Sequence, residues 1–373
     1  MTGSILVVGG GIAGRSMSRA LAQHGMECTV VEERGESPGL GMGLNLPGNA
    51  IRALDQFGVV DDVASHGVPL HRREYRNGKG DLLFVVDDDE FWRGIGAPLC
   101  VRHGHLLRAL REPDAGPDRQ EERVRWARPA DRQVEVMFEG EEAPRRFDFV
   151  VGADGVRSAV RVAVSEDGVR ASGMTQSSWR LIADNPGVEC WTAWSGSATT
   201  FLLIPVEPGR VYGYAASTRG GSTGADPVWL RAAFAGFPDP VTHVVDAALA
   251  GACQLHHAPV DEVHMPHWHR GRLTLIGDAA HATGPVWAQG AAMAIEDALV
   301  LAGLLARERD WDRVGVAFER ARRPRVAHVR NATDRMSRLA ALPGWARDRS
   351  APLLGPRAYR SAYGPLRAEV RMT

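Results

Sequence analysis

The chain has 373 residues, a formal net charge of −1, 44% hydrophobic residues, 42 glycines, 22 prolines and 4 cysteines. That length fits two domains at ~100–200 residues each, or one large domain with an inserted lobe. Ordinary apolar content excludes disordered and fibrous classes, and near-neutral charge gives no electrostatic case for nucleic acid or an anionic membrane as partner.

Cys28, Cys100, Cys190 and Cys253 lie far apart, with no CxxC pair. This predicts a reducing, cytoplasmic setting rather than a disulfide scaffold or a zinc site. His264, His267 and His269 crowd one stretch, but Pro266 and Trp268 intervene and no acid or thiol stands at ligand spacing, so no metal is expected. The start of the chain lacks the basic, apolar and cleavage regions of a signal peptide. The apolar stretch 291–306 is broken by Glu296 and Asp297 and is too short for a span of ~20 residues. Lys79 is the sole lysine among many arginines, which reads as compositional background.

In chain order, Ile5 to Val8 reads as a buried parallel strand by its continuous apolar run. A helix follows from about Ala13 to Gln23, stopped at Gly25, and Thr29 to Val31 is the next strand. Residues 35–48 are Gly- and Pro-rich, a loop suited to wrapping a ligand. Asn49 to Phe57 is helical. Asn77-Gly78-Lys79-Gly80 sits between two strands as a hairpin turn. His105 to Leu110 is helical; Val134 to Phe138 and Phe147 to Val151 are strands. Residues 190–218 alternate apolar and polar like an antiparallel sheet. Leu273 to Ile276 is a buried strand, Gln289 to Ala306 a long helix, and an Arg-rich helix and a Pro/Gly-punctuated tail follow.

Gly9-Gly10-Gly11-Ile12-Ala13-Gly14 fits GxGxxG between a strand and a helix. Gly9 permits the tight turn, Gly11 lets the backbone approach a pyrophosphate, and Gly14 lets helix and strand close on each other. The helix start at Ile12 and Ala13 offers free N–H groups to phosphate. Glu32, 23 residues beyond Gly9, stands where a carboxylate takes both ribose hydroxyls and repels a 2′-phosphate. The motif predicts an adenosine dinucleotide, FAD or NAD.

Two further segments separate these. Asp148 to Arg161 reads DFVVGADGVRSAVR, and Arg272 to Ala298 reads RLTLIGDAAHATGPVWAQGAAMAIEDA. With the glycine turn, they resemble the signature segments of class A flavoprotein monooxygenases, single-component aromatic hydroxylases with the p-hydroxybenzoate hydroxylase fold. The resemblance runs from Ser4 to about Arg325, specific in the motifs and loose between them. It implies an α/β fold: a Rossmann-like FAD-binding domain over 1–70, 101–170 and 265–340, an inserted, mostly antiparallel substrate-binding sheet over 71–100 and 171–264, and a helical tail over 341–373.

By resemblance, Gly277-Asp278 meets the FAD ribityl chain, and the helix opening at Gly290 and Ala291 points its N–H groups at the flavin, where reduction places negative charge. Asp154 lies near the FAD pyrophosphate, or caps the segment that follows. Where the family has an arginine on FAD phosphate this chain has His103; Arg102 or His103 takes that contact. Glu33 stands where the family commonly has arginine after the ribose-binding acid. Ala288 and Ala292 occupy positions often held by Gly and Asn. His281 is expected to be structural, bonding backbone near Asp278. With no second GxGxxG, NADPH or NADH would visit transiently.

The resemblance implies monooxygenation: O2 and NAD(P)H as co-substrates, a flavin C4a-hydroperoxide, and one oxygen atom passed to a largely apolar, aromatic small molecule by hydroxylation or epoxidation, as in secondary metabolism. No catalytic acid–base residue is singled out. Pocket candidates are Pro285 and Trp287 past the GD strand, and Arg180, Trp191, Trp194, Thr200, Tyr212 and Tyr214 in the middle sheet; Tyr212 and Tyr214 share a face by the period of two. Alternatives are a flavin oxidoreductase or halogenase of the same fold without oxygen insertion, though Lys79 sits in the hairpin turn rather than a pocket, and a non-catalytic FAD-binding protein.

Overall fold

The strand Ile5–Val8 is buried at every position and pairs in parallel with Thr29–Glu32 on one side and Phe149–Gly152 on the other. Leu273–Leu275 joins Phe149–Gly152, again in parallel, at the register Val150 to Leu273. His269–Arg270 and Arg119–Gln120 complete a six-stranded sheet. Continuous apolar runs suit strands covered on both faces. The computed structural model describes residues 3–33, 42–111, 119–120, 122–165, 169–171, 177–217, 226–257, 260–340 and 342–370. Much of the predicted 35–48 loop therefore lies outside the described residues, and its remainder contains the strand Gly43–Leu46.

The helix Ile12–Gln23 packs against the helix Gly290–Arg307, so the first and third motifs meet in space. Gly277, after the strand Leu273–Leu275, takes φ +57°; a Cβ there would lie 3.1 Å from that of Ala13 and 3.2 Å from that of Ala294.

A seven-stranded sheet holds the middle of the chain. Its strands run in the spatial order Leu255–His257, Ser177–Asp184, Arg210–Ser217, Thr199–Glu207, Trp191–Ser195, Arg72–Asn77 and Leu82–Asp87. All pair antiparallel except Trp191–Ser195 with Arg72–Asn77. The predicted hairpin is present: Asn77 Oδ1 accepts from the backbone N–H of Lys79 and of Asp81, and Gly80 takes φ +95°.

Strand periodicity gives this sheet two faces. Trp179, Leu181, Trp194, Phe201, Leu203, Val211 and Ala215 pack against Leu230, Phe234, Val241 and Val244 of the helices Trp229–Phe234 and Asp239–Leu249. Ile182, Trp191, Ala193, Ile204 and Tyr212 form a separate cluster with Leu70 and Cys100 on the other face. Trp194, a pocket candidate from the sequence, thus belongs to the helix-covered face.

The tail is more regular than its prolines imply. Gly344–Tyr363 is one helix carrying Pro352 and Pro356 within it. Tyr359, Ala362 and Tyr363 are buried at its end, and a Cβ on Gly355 would collide with the Phe84 ring. Burial of this face outweighs the lost backbone hydrogen bonds. Among the described residues no helix is long and apolar enough to cross a membrane.

Candidate active site

The glycine turn has the geometry its spacing requires. Gly9 takes φ +107°, and a Cβ there would stand 2.4 Å from the Ala153 carbonyl oxygen. A Cβ on Gly14 would stand 1.8 Å from the Gly9 carbonyl oxygen, so only glycine lets the helix close on the turn. Gly11 differs: a Cβ there meets nothing within 4 Å. The cradle is open at the position where a pyrophosphate would approach, over the helix start at Ile12 and Ala13, whose first-turn N–H groups have no partner within the helix. Glu32 braces the turn, its Oε2 accepting from the Gly10 N–H at 2.7 Å.

One orphaned polar atom, on the His103 ring, fits a phosphate-bearing ligand beside this cradle. His103 is half-buried, its shielded Nδ1 without a partner among the described residues, and burial and the nearby Arg15 charge both lower its pKa. Asp154 caps, its Oδ2 accepting from the N–H of Ala159 at 2.7 Å and of Val160 at 3.2 Å. Its Oδ1 is buried without a partner, and burial raises its pKa against those bonds. Arg102 turns elsewhere. It holds the Glu207 carboxylate in a bidentate pair, Nε at 2.8 Å and Nη2 at 2.6 Å, joining the strand Leu99–Arg102 to the large sheet. Of the two phosphate candidates, His103 is the one with an orphaned atom. Glu33 is exposed and pairs with Arg123 at 3.2 Å, on the surface rather than in the cradle.

Asp278 begins the short helix Asp278–His281. Its side chain is exposed although protein surrounds it, as for a group at the floor of a crevice; that surround raises its pKa, partly offset by His281 and Arg180. Gly290 is exposed, and a Cβ on it would come 3.9 Å from Asp278 Oδ1. Ala291 lies just behind it, 9% exposed.

A buried charge network that the motifs did not reveal supports this crevice. Asp297 Oδ2 accepts from the Gly277 N–H at 2.9 Å and pairs with His281 Nε2 at 2.6 Å, and its Oδ1 accepts from Arg322 Nε at 2.6 Å. Burial would raise the Asp297 pKa, but His281 and Arg322 outweigh it and hold it low. The partner of His281 is the Asp297 carboxylate rather than the backbone expected from the sequence. Glu296 binds Arg322, Arg325 and the Asn49 amide, and Asn49 exchanges amide bonds with Gln289 at 3.0 and 3.2 Å. The signal in the sequence was the acidic pair in an otherwise apolar helix.

The open face of the large sheet meets these loops. Register places Arg180, Tyr214, Leu202, Ala193, Tyr75 and Phe84 in one cross-strand row. Ile182, Tyr212 and Ile204 form the row on one side of it, and Ala216, Thr200 and Ser195 the row on the other. The candidates Arg180, Thr200, Tyr212 and Tyr214 therefore share this face. Arg180 lies over the Tyr214 ring at 5.9 Å and within electrostatic reach of Asp278. Tyr212 packs on Gly43, and burial pushes its pKa up to about 12 against the nearby Arg180 charge. At the other end of the row Tyr75 stacks on Phe84 at 4.2 Å. Pro285 is exposed, whereas the Trp287 ring is buried against Tyr363 at 5.5 Å, which makes it a wall of the flavin loop rather than its surface. Among the described residues no three His, Cys, Asp or Glu side chains gather to hold a metal.

Comparison with known proteins accords with this geometry. The family model described as FAD binding domain matches residues 2–335. The chain is 31% identical over 345 residues to 3-hydroxybenzoate 6-hydroxylase 1 of Aquipseudomonas alcaligenes, covering 88% of this chain and 87% of the relative. It is 30% identical over 351 residues to 2-heptyl-3-hydroxy-4(1H)-quinolone synthase of Pseudomonas aeruginosa, covering 90% and 89%. Klebsiella pneumoniae HpxO, solved with FAD and uric acid, superposes with a TM-score of 0.79 at 25% identity over 98% of this chain and 93% of that one. The chain belongs to the FAD-binding class A flavoprotein monooxygenases and is an FAD-dependent monooxygenase of the aromatic hydroxylase kind.

Proposed function

We propose that this enzyme uses NAD(P)H and O2 to add one oxygen atom to a largely apolar aromatic molecule lying between the flavin and the open face of the large sheet. The observation that carries the reading is the row Arg180, Tyr214, Leu202, Ala193 and Tyr75. One end is cationic and phenolic; Leu202, Ala193 and the Tyr75 ring continue it for about 10 Å at ~4.8 Å per strand. A relative named for a hydroxybenzoate and another named for a heptylquinolone bracket the range, from a compact aromatic acid to an alkylated ring.

The residues have distinct parts in this reading. The cradle at Gly9, Gly11 and Gly14, with Glu32 and His103, holds the adenosine diphosphate half of FAD. Asp278 holds the ribityl chain. The helix starting at Gly290 and Ala291 turns N–H groups toward the ring, where they favour the anionic reduced form. Bound flavin supplies electron transfer and oxygen activation. Arg180 and Tyr214 bind and orient the polar edge of the substrate, and Leu202, Ala193 and Tyr75 exclude water along its length. Pro285 forms the exposed lip of the loop beneath the ring.

Stimulated NAD(P)H oxidation tests the reading, with phenols, hydroxybenzoates and 4-quinolones as probes. We expect at least one class to stimulate turnover. Tyr214→Phe should then lower kcat/KM about 10-fold or more with little change in Tm, an effect of the size expected for a lost orienting hydrogen bond. Trp194→Phe, on the helix-covered face, should instead lower Tm and leave kcat/KM nearly intact. An indifferent Tyr214→Phe variant would remove the open face from the account.

A further inference from the structure

The loop Pro285–Gln289 carries an energetic cost and is held from outside. Ala288 adopts φ +51° and ψ +36°, the left-handed region that a residue with a Cβ occupies at a penalty. Such backbone persists only when its surroundings fix it. One contact within the loop and two from outside do so here. The Ala288 N–H donates to the Pro285 carbonyl at 3.1 Å, Gln289 locks amides with Asn49, and the Tyr363 hydroxyl donates to the Trp287 carbonyl at 2.7 Å.

The third contact comes from the far end of the chain. Tyr363 is 1% exposed, its ring edge-on to both Trp287 at 5.5 Å and Trp92 at 5.4 Å. Tyr359, its neighbour at 4.7 Å on the same helix, donates instead to Asp88 Oδ1 at 2.6 Å. Asp88 Oδ2 accepts from Arg73 Nε at 2.7 Å, and the Arg73 guanidinium lies among the rings of Trp191, Tyr359 and Tyr363. One helix therefore grips the open-face side of the large sheet with one tyrosine and the loop ahead of Gly290 with the next.

We infer that Tyr363 is a positioning residue for the flavin, acting through the Trp287 carbonyl to fix the Pro285–Gln289 loop, and that the C-terminal helix is thereby part of the active site. The inference rests on the reading that this loop and the Gly290 helix start lie against the flavin ring. Loss of the hydroxyl frees a strained loop, moves the Gly290 N–H groups away from the ring, and weakens their preference for the reduced, anionic form. Tyr359 serves as the internal comparison, because removing its hydroxyl loosens the same helix without touching the loop.

The test measures FAD dissociation constant, flavin absorption bands and midpoint potential on FAD-reconstituted wild type, Tyr363→Phe, Tyr359→Phe and Gly290→Val, with Tm alongside. Tyr363→Phe should weaken FAD binding about 10-fold, alter the flavin bands and shift the potential negative. Tyr359→Phe should lower Tm while leaving bands and potential in place. Tyr363→Phe with wild-type binding, bands and potential overturns the inference whatever its Tm. Equal changes in both tyrosine variants also overturn it, since they would reflect helix undocking alone. Gly290→Val separates the underlying reading: normal FAD binding by that variant removes the flavin from this loop, whereas its loss alongside a silent Tyr363→Phe removes only the role of Tyr363.

Discussion

Gly11 and Gly14 share one motif, yet a Cβ at each meets opposite surroundings. At Gly14 it would sit 1.8 Å from a backbone oxygen, and at Gly11 it would meet no protein atom within 4 Å. Gly14→Ala should therefore compromise folding, lowering Tm or solubility. Gly11→Val should fold with near wild-type Tm and lose FAD affinity by 10-fold or more, read by flavin fluorescence on reconstitution. Both roles were legible in the sequence because glycine spacing encodes backbone approach directly. The partner of an arginine is not encoded that way. Arg102 and His103 are adjacent, and only the fold shows that one reaches Glu207 across to another sheet while the other keeps an orphaned nitrogen beside the cradle. The left-handed backbone of Ala288 was equally hidden, because alanine carries no signal for it.

At the scale of elements, alternation in the strands predicted that Tyr212 and Tyr214 face one way, and the register bears this out. Trp194 shows the limit of that reading: alternation gives two faces without saying which one helices cover. Long-range charge pairs were also beyond reach. Glu319, on the helix Val314–Ala340, ties that helix to the edge strand of the six-stranded sheet. Its Oε1 accepts from the Trp268 N–H at 2.5 Å and pairs with His269 Nδ1 at 2.6 Å; its Oε2 accepts from Arg323 Nε at 2.7 Å. Burial alone would raise its pKa, but these bonds prevail and bring it from 4.5 to about 2. A depressed carboxylate stabilises the fold above its unfolded pKa and ceases to do so as pH falls through its folded one. This contribution is thus complete above pH 4.5 and fades between 4.5 and about 2. Glu319→Gln should cost about 3 kcal/mol at pH 7 and flatten the acid limb of stability in that window, measured by denaturant unfolding against pH.

At the scale of the whole molecule, each motif carried a strand or a helix start of the parallel-sheet half, whereas the inserted antiparallel sheet was implied by the family resemblance and by the alternation over 190–218. A helical tail was expected from the resemblance alone; Pro352 and Pro356 argue against it locally, and the buried face of Tyr359, Ala362 and Tyr363 that stabilises it appears only on packing. Together these parts form the proposed cleft between a flavin cradle and a sheet face, where one atom of O2 passes to an aromatic ring. The direct measurement is turnover under ¹⁸O2 with a substrate that stimulates NAD(P)H oxidation, with product mass as readout. One ¹⁸O atom per product molecule is expected, and none when the label is supplied as water. A product formed without label from ¹⁸O2, its NAD(P)H fully consumed, would contradict it.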